Sequence, residues 1–281
     1  MDDIRAVQWS NQALVLIDQT ELPTSETYVT CSRVDDVVDA IIRLVVRGAP
    51  ALGAVGGYGV AVAMLQGERE NWDAARLESE ITRIRDARPT AVNLAWGVDR
   101  VRPMVAGGVD AVLAEADRIA EEDEAANREL SRRGADWILA NTTIRPLRIL
   151  THCNTGSLAT TAWGTALGII RELYLRGDVE LVYADETRPL LQGSRLTSWE
   201  LTQDQIPHVI QSDGAAASTI LRSLVDVAII GADRIARNGD TANKIGSVSV
   251  ALACHVAGIP FVVAAPSSTV DLSTASGDEI E

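Results

Sequence analysis

From Leu147 onward the sequence alternates short apolar runs with stretches of helical spacing, and no other feature narrows the possible folds as much. The runs are Leu147 to Thr151, Val179 to Ala184, His208 to Gln211, Val225 to Ile230 and Phe261 to Ala265. Each is of strand length, and a helical pattern fills every gap. Strands separated by helices pair in parallel through right-handed crossovers. An α/β fold with a doubly wound parallel sheet is therefore expected over residues 143–281. In such sheets, ligands bind in the crevice beyond the carboxyl ends of the strands. Four of the five runs lead into a polar residue suited to catalysis or binding: Cys153, Asp185, Asp213 and Asp233.

Residues 1–142 read differently. Ala6 to Cys31 holds short strands around the turn Glu21-Leu22-Pro23-Thr24-Ser25. Val34, Val37, Val38, Ile41, Ile42 and Val45 then fall on one face of a helix. The pattern breaks at Arg47-Gly48-Ala49-Pro50, where Pro50 suits the first turn of a new helix running through Ala51 to Leu65. Asp73 to Arg85 is amphipathic, and a second Arg-Pro, Arg88-Pro89, precedes a helix start at 90–93. Gly107-Gly108 leads into the longest helical pattern, Val109 to about Leu139. A smaller, mostly helical domain with short strands is thus expected ahead of the sheet. Within it, Gly53, Gly56, Gly57 and Gly59 read as close helix packing, because no strand precedes them. The acidic run Glu121-Glu122-Asp123-Glu124 reads as a solvated face.

Charge and cysteine usage exclude several function classes. A net charge of −14 offers no cationic surface to a phosphate backbone, so nucleic acid is not expected as a partner. A small anionic ligand still fits where a few arginines gather. Cys31, Cys153 and Cys254 lie far apart with no CxxC spacing. That argues against a zinc site and for a reducing compartment, the cytoplasm. The acidic start Met1-Asp2-Asp3 has no signal-peptide pattern, and no apolar run approaches the ~20 residues that span a bilayer, so no membrane partner is expected. No GxGxxG follows the first strand of the sheet, so no dinucleotide is signalled.

Cys153 ends the first strand and precedes Asn154-Thr155-Gly156-Ser157 and a small-residue helical pattern. A thiol at a helix start is biased toward thiolate by free N–H groups and the helix dipole. The plain alternative is a small buried hydrophobe. Its neighbour His152 points to the opposite face and reads equally well as a hydrogen-bonded core histidine, so it is given no role. Asp233 follows one of the most apolar strands. A carboxyl held against such a surface stays protonated near neutrality and can act as a general acid, whereas a solvated loop aspartate would not. For each of the aspartates after the strands, helix capping is the competing reading. Asn243-Lys244-Ile245-Gly246 opens the next helix beside the same edge. Arg47, Arg88 and Lys244, each at a helix start, suit a phosphate dianion.

The segments RGAPALG (Arg47 to Gly53), ARPTAVNL (Ala87 to Leu94), THCNTGSLAT (Thr151 to Thr160) and DETRPLLQGSRLTSWEL (Asp185 to Leu201) carry a family resemblance. So do GADRIARNGDTANKIG (Gly231 to Gly246) and GIPFVVAAPSSTVD (Gly258 to Asp271). By these motifs, which span nearly the whole chain, the sequence resembles the methylthioribose-1-phosphate isomerases. That family groups with ribose-1,5-bisphosphate isomerases and the regulatory subunits of a translation-initiation exchange factor. The resemblance implies a Rossmann-like C-terminal domain behind a smaller N-terminal one, a homodimer, and a methionine-salvage activity that needs no cofactor or metal. Position by position, it implies a catalytic pair, Cys153 and Asp233. It implies substrate contacts from Arg47, Gly48, Ala49, Arg88, Gln192, Asn243 and Lys244.

The implied reaction turns a 5-substituted ribose 1-phosphate into the ribulose 1-phosphate. The phosphate on the anomeric carbon keeps the ring from opening as a free hemiacetal would. An acid must therefore protonate the ring oxygen, with Asp233 the candidate, and hydrogen must move from C2 to C1. Either Cys153 shuttles a proton through an enediol-like species, or an apolar pocket favours a direct hydride shift; excluding water protects both routes. A ribose-1,5-bisphosphate isomerase would need a second phosphate site, and no further cationic cluster stands out. A non-catalytic regulatory subunit would be expected to replace Cys153 and Asp233. The family's usual Asp-Ser-Met-Ala-Ala stands here as Asp213-Gly214-Ala215-Ala216-Ala217. This removes a hydroxyl and a thioether near the expected sugar and leaves the 5-substituent open. Relatives continue for several elements past Gly277-Asp278; without them the sheet would lack edge structure and lean on a dimer partner.

Overall fold

The computed structural model of the chain describes residues 4–89 and 91–280. Met1 to Asp3, Thr90 of the helix start expected at 90–93, and Glu281 lie outside the described residues. The chain divides into two compact units, residues 4–125 with 157–162, and residues 126–156 with 163–280.

The first unit opens with an antiparallel sheet, β1 (Val7–Ser10), β2 (Ala13–Ile17) and β3 (Tyr28–Cys31). Helices α1 (Val34–Ile42), α2 (Ala49–Glu70), α3 (Ala74–Arg85) and α4 (Val92–Val101) follow, then α5 (Val109–Asn141), inside which the division of the chain falls. Local capping explains several of these boundaries. The Asp73 side chain accepts a hydrogen bond from the Arg76 N–H at 2.8 Å, satisfying a free donor at the start of α3. Pro50 occupies the first turn of α2, where its missing N–H costs nothing.

At 22 residues, α2 is long and apolar enough to cross a membrane, which corrects the expectation that no run comes near that length. Here it is a core helix, buried along Ala51 to Gly67 apart from Leu65. Its glycines do what their spacing predicts. A Cβ on Gly97 of α4 would lie 2.0 Å from the Gly53 carbonyl oxygen, and one on Gly56 would lie 2.6 Å from that of Leu94. The two backbones are therefore in direct contact, and a methyl group must push them apart. Gly97→Ala is expected to cost about 1–3 kcal/mol by overpacking. Gly214→Ala, where an added Cβ meets nothing within 4 Å, should stay within about 0.5 kcal/mol. Urea denaturation of the two variants checks the contrast.

The acidic run is not simply a solvated face. Asp123 accepts hydrogen bonds from the Thr161 N–H (2.9 Å) and hydroxyl (2.8 Å), pinning the 157–162 segment. Glu122 pairs with Arg100 at 2.6 Å and Glu124 with Arg5 at 2.9 Å.

The second unit contains β4 (Leu147–His152), α6 (Ala166–Leu175), β5 (Val179–Asp185), α7 (Ser198–Gln203), β6 (His208–Gln211) and α8 (Ala216–Leu221). It continues with β7 (Val227–Ile230), β8 (Arg234–Ala236), β9 (Thr241–Ala242), α9 (Ser247–Ala257), β10 (Phe261–Val263) and β11 (Val270–Asp271). The main sheet is parallel, in the order β10-β7-β4-β5-β6. Alternation along β4 sends Leu147 and Ile149 into one core with Ile138, Leu167, Ile170 and Leu173. Leu150 goes to the other core, with Ile220, Val250 and Cys254. Helices thus cover both faces, as a doubly wound sheet requires. From β4 the chain moves outward through β5 to β6, then returns to lay β7 and β10 on the other side. Its direction reverses between β4 and β7, the switch point at which open α/β sheets bind ligands.

A second, small sheet in the order β11-β8-β9 was not foreseen from the sequence. Its strands of two or three residues are too short to leave a periodic signal.

Candidate active site

At the switch point His152 of β4 pairs with Ile230 of β7. The next residue, Cys153, and the segment Gly231-Ala232-Asp233 therefore leave the sheet from neighbouring strands at one edge. Cys153 is buried and has a φ of 67°, a left-handed conformation sparsely populated without glycine. Its surroundings hold it there. Its N–H donates to the Thr187 hydroxyl at 2.9 Å, and its carbonyl accepts from the Thr197 hydroxyl at 2.6 Å. The adjoining Asn154 amide donates to Glu200 Oε1 at 2.8 Å. Glu200 in turn pairs with Arg171 at 2.9 Å, and Arg171, only 2% exposed, also binds Asp204 at 2.5 Å.

The helix expected directly after Cys153 does not form. The chain makes a 3-10 turn at Ser157–Ala159, takes positive φ at Trp163 (71°) and Gly164 (86°), and enters α6 only at Ala166. A Cβ on Gly164 would lie 2.4 Å from the Gly156 Cα, so these two glycines close a compact loop where a helix would keep them apart. The helix dipole invoked for the thiol is accordingly not adjacent to it.

Asp233 is also placed differently from expectation. Its side chain is exposed, because β7 ends at Ile230 and the following residues carry the carboxyl beyond the apolar strand. Its N–H donates to the Ala242 carbonyl at 2.9 Å. The β8–β9 hairpin thereby brings Asn243 and Lys244 back beside it. Lys244 is the single lysine in a chain with 25 lysine and arginine residues. It is a compact ammonium kept at this edge while guanidinium groups serve everywhere else. The Asn243 amide donates to Ser247 Oγ at 2.9 Å, which donates to the Lys244 carbonyl at 2.8 Å.

Gln192 reaches the same sheet edge. A Cβ on the following Gly193 would sit 1.6 Å from the Asp185 carbonyl oxygen, so this backbone lies directly against the end of β5. Gln192 is 4% exposed, and its Oε1 has no hydrogen-bond partner among the described residues. Such an acceptor costs about 1–3 kcal/mol unless something donates to it. A ligand hydroxyl is a fitting donor.

The remaining expected contacts lie in the first unit, each near a helix start. Gly48, with a φ of 95°, caps α2, and a Cβ there would lie 2.1 Å from the Ala159 carbonyl oxygen, so only glycine fits. Ala49 is the first residue of α2, and half-buried Arg47 stands just before Gly48. Arg88, also half-buried, accepts the Ala91 N–H through its carbonyl at 2.9 Å ahead of α4.

Two aspartates have structural duties. Asp213 accepts the backbone N–H groups of Thr187 and Arg188, both at 2.7 Å. Asp185, fully buried, binds His152 Nδ1 at 2.9 Å and accepts from Gln211 Nε2 at 2.8 Å, while His152 Nε2 lies 2.7 Å from the Ile245 carbonyl. Burial alone would lower the imidazole pKa, but these two acceptors and the nearby Asp213 charge outweigh it and hold the ring above its ordinary value. His152, Asp185 and Asp213 could offer a metal ion ligand atoms within 4.8 Å of one another. Each of those atoms is already engaged in the contacts above, which an ion would have to displace. Burial pushes the other two thiols up, Cys31 to about 12 and Cys254 to about 11. Both are poor nucleophiles.

Fold and site together define an α/β protein of Rossmann-like architecture, with a thiol, a carboxyl, an amide and an ammonium at its switch-point edge. The chain belongs to the Initiation factor 2 subunit family, whose sequence profile matches residues 45–281. Within that family it is 47% identical over 286 residues to a methylthioribose-1-phosphate isomerase of Alkalilimnicola ehrlichii, covering 99% of this chain and 81% of that protein. It is 50% identical over 279 residues to a probable bifunctional methylthioribose-1-phosphate isomerase/methylthioribulose-1-phosphate dehydratase of Nocardia farcinica. That match covers 99% of this chain, which spans only half (50%) of the bifunctional relative's length. The crystal structure of 5-methylthioribose 1-phosphate isomerase from Pyrococcus horikoshii matches with a TM-score of 0.90 at 37% identity, over 99% of this chain and 79% of that one. That of translation initiation factor eIF-2B, subunit delta, from A. fulgidus matches with a TM-score of 0.86 at 40% identity, over 99% and 82%.

Proposed function

We propose that this chain is a methylthioribose-1-phosphate isomerase of methionine salvage, acting in the cytoplasm as a homodimer. The observation that carries the reading is the pairing of β4 with β7 at the switch point, from which Cys153 and Asp233 both emerge. Identity of 47–50% to relatives bearing that name supports the substrate. Arg47, Gly48, Ala49 and Arg88 bind the phosphate ester through helix-start N–H groups and guanidinium donors. Gln192, Asn243 and Lys244 bind the sugar. Bound sugar would cover the Asp233 carboxyl, which is exposed in the free protein, and so favour its protonated form. It gives that proton to the ring oxygen as the bond from that oxygen to C1 breaks. Cys153, as thiolate, takes the proton from C2, leaving an enediol phosphate, and returns it to C1. The C2 hydroxyl gives its proton to the Asp233 carboxylate as the ketone forms. Both groups end as they began, so the step balances without an external oxidant.

The exposed strip Val248, Leu252 and Val256 on α9 supports the dimer, because a two-fold contact there would cover it. Light scattering tests that part.

The likeness to an eIF-2B delta subunit favours a second reading, a non-catalytic regulatory subunit. Retention of both Cys153 and Asp233 weighs against it. Incubation with methylthioribose 1-phosphate, 5-deoxyribose 1-phosphate and ribose 1,5-bisphosphate, followed by NMR for a ketone carbon, separates the possibilities. Ketose from the first substrate is expected. Turnover of the bisphosphate alone would shift the substrate class, and no turnover of any would leave the regulatory reading.

A further inference from the structure

His152 is adjacent to the proposed base yet has no part in the chemistry above. A carbonyl oxygen can only accept, so the 2.7 Å contact with Ile245 requires a proton on His152 Nε2 and fixes that nitrogen as a donor. The other nitrogen meets Asp185, which Gln211 Nε2 holds from the far side at 2.8 Å, and Gln211 Oε1 accepts from the Thr219 hydroxyl at 2.7 Å. The bonds run from α8 through the ends of β6, β5 and β4 and finish on the loop that carries Asn243 and Lys244. That loop rests on the ring itself. Gly246 has a φ of 109°, and a Cβ there would lie 2.5 Å from His152 Cε1. The ring is 1% exposed.

We propose that His152 is a positioning residue, a buried post that sets the Asn243–Lys244 loop at the height of Cys153 and Asp233. The idea rests on the reading that Asn243 and Lys244 hold the substrate. Its effect belongs to binding, not to the transfer of hydrogen between C2 and C1.

The single lysine provides a readout independent of catalysis. Reductive methylation with formaldehyde and cyanoborohydride modifies two kinds of amine here, Lys244 and the N-terminal amine, and mass spectrometry follows each. In His152→Ala, with both ring bonds lost, Lys244 should be modified at least about threefold faster relative to the N-terminal amine, and KM for methylthioribose 1-phosphate should rise about tenfold with kcat within about threefold. His152→Gln, which keeps an N–H for the Ile245 carbonyl, should fall between wild type and His152→Ala on both measures. If His152→Ala does not fold, Asp185→Asn, which removes the charge behind the ring, should still speed Lys244 modification. Unchanged modification and unchanged KM would overturn the proposal, as would a fall in kcat with KM and modification unaltered. If the wild-type protein is inert toward the sugar phosphate, the isomerase reading fails, while the modification rates still decide the role of His152.

Discussion

Cys153→Ser is expected to lower turnover of methylthioribose 1-phosphate by about 10³-fold or more, while the phosphate ester remains bound. A hydroxyl fills nearly the same volume, and the hydrogen bonds that fix residue 153 come from its backbone, from Thr187 and Thr197. The left-handed turn should therefore survive, and what is lost is a group able to exchange a proton with carbon near neutral pH. Asp233→Asn should fall by a similar factor for a different reason, since an amide keeps the shape but cannot deliver a proton to the ring oxygen. Single-turnover NMR measures the rates, and calorimetric titration with the sugar phosphate measures binding. A variant that binds and still turns over near the wild-type rate removes its residue from the chemistry.

Arg171→Met should cost about 3–5 kcal/mol, a large share of the 5–15 kcal/mol that holds a typical domain together. Arg171, Glu200 and Asp204 are all buried, and the guanidinium is the cation between the two carboxyls. Without it, two acids sit side by side away from water. Burial already raises the Asp204 carboxyl above its usual range, and loss of Arg171 raises it further. A carboxyl whose pKa is higher in the folded chain binds protons more readily there than in the unfolded chain, so the variant should recover stability as pH falls. Urea midpoints at neutral and mildly acidic pH test both the size and the sign. Turnover should fall as well, because Glu200 also anchors Asn154 beside the thiol. Adding Glu200→Gln and Asp204→Asn should restore part of the stability but not the anchoring charge.

The sheet was legible because buried parallel strands write themselves as unbroken apolar runs: β4 and β5 each run one residue past the expected end, β6 coincides with its run, and β7 begins two residues later than expected. What lay beyond reading depended on contacts between distant residues. The helix predicted after Cys153 fails because Gly156 touches Gly164, which local propensity does not register. The exposure of Asp233 follows from where β7 stops and a hairpin of very short strands begins. The partners of His152 depend on the register that sets β4 beside β5, and neither residue alone signals the other. Arg171 and Glu200 lie on separate helices and look like ordinary surface charges. Even α2, which the glycine pattern correctly marks as closely packed, hides its full length because its small residues make it look less apolar than it is.

A crystal structure of the protein with the product methylthioribulose 1-phosphate bound is the most direct measurement of the chemistry assigned to the switch-point edge. The expected density places the C1–C2 bond between the Cys153 sulfur on one side and the Asp233 carboxyl on the other, with Lys244 and Gln192 on the sugar oxygens. Sugar bound away from the β4–β7 edge, or Cys153 and Asp233 opening into separate cavities, would contradict it.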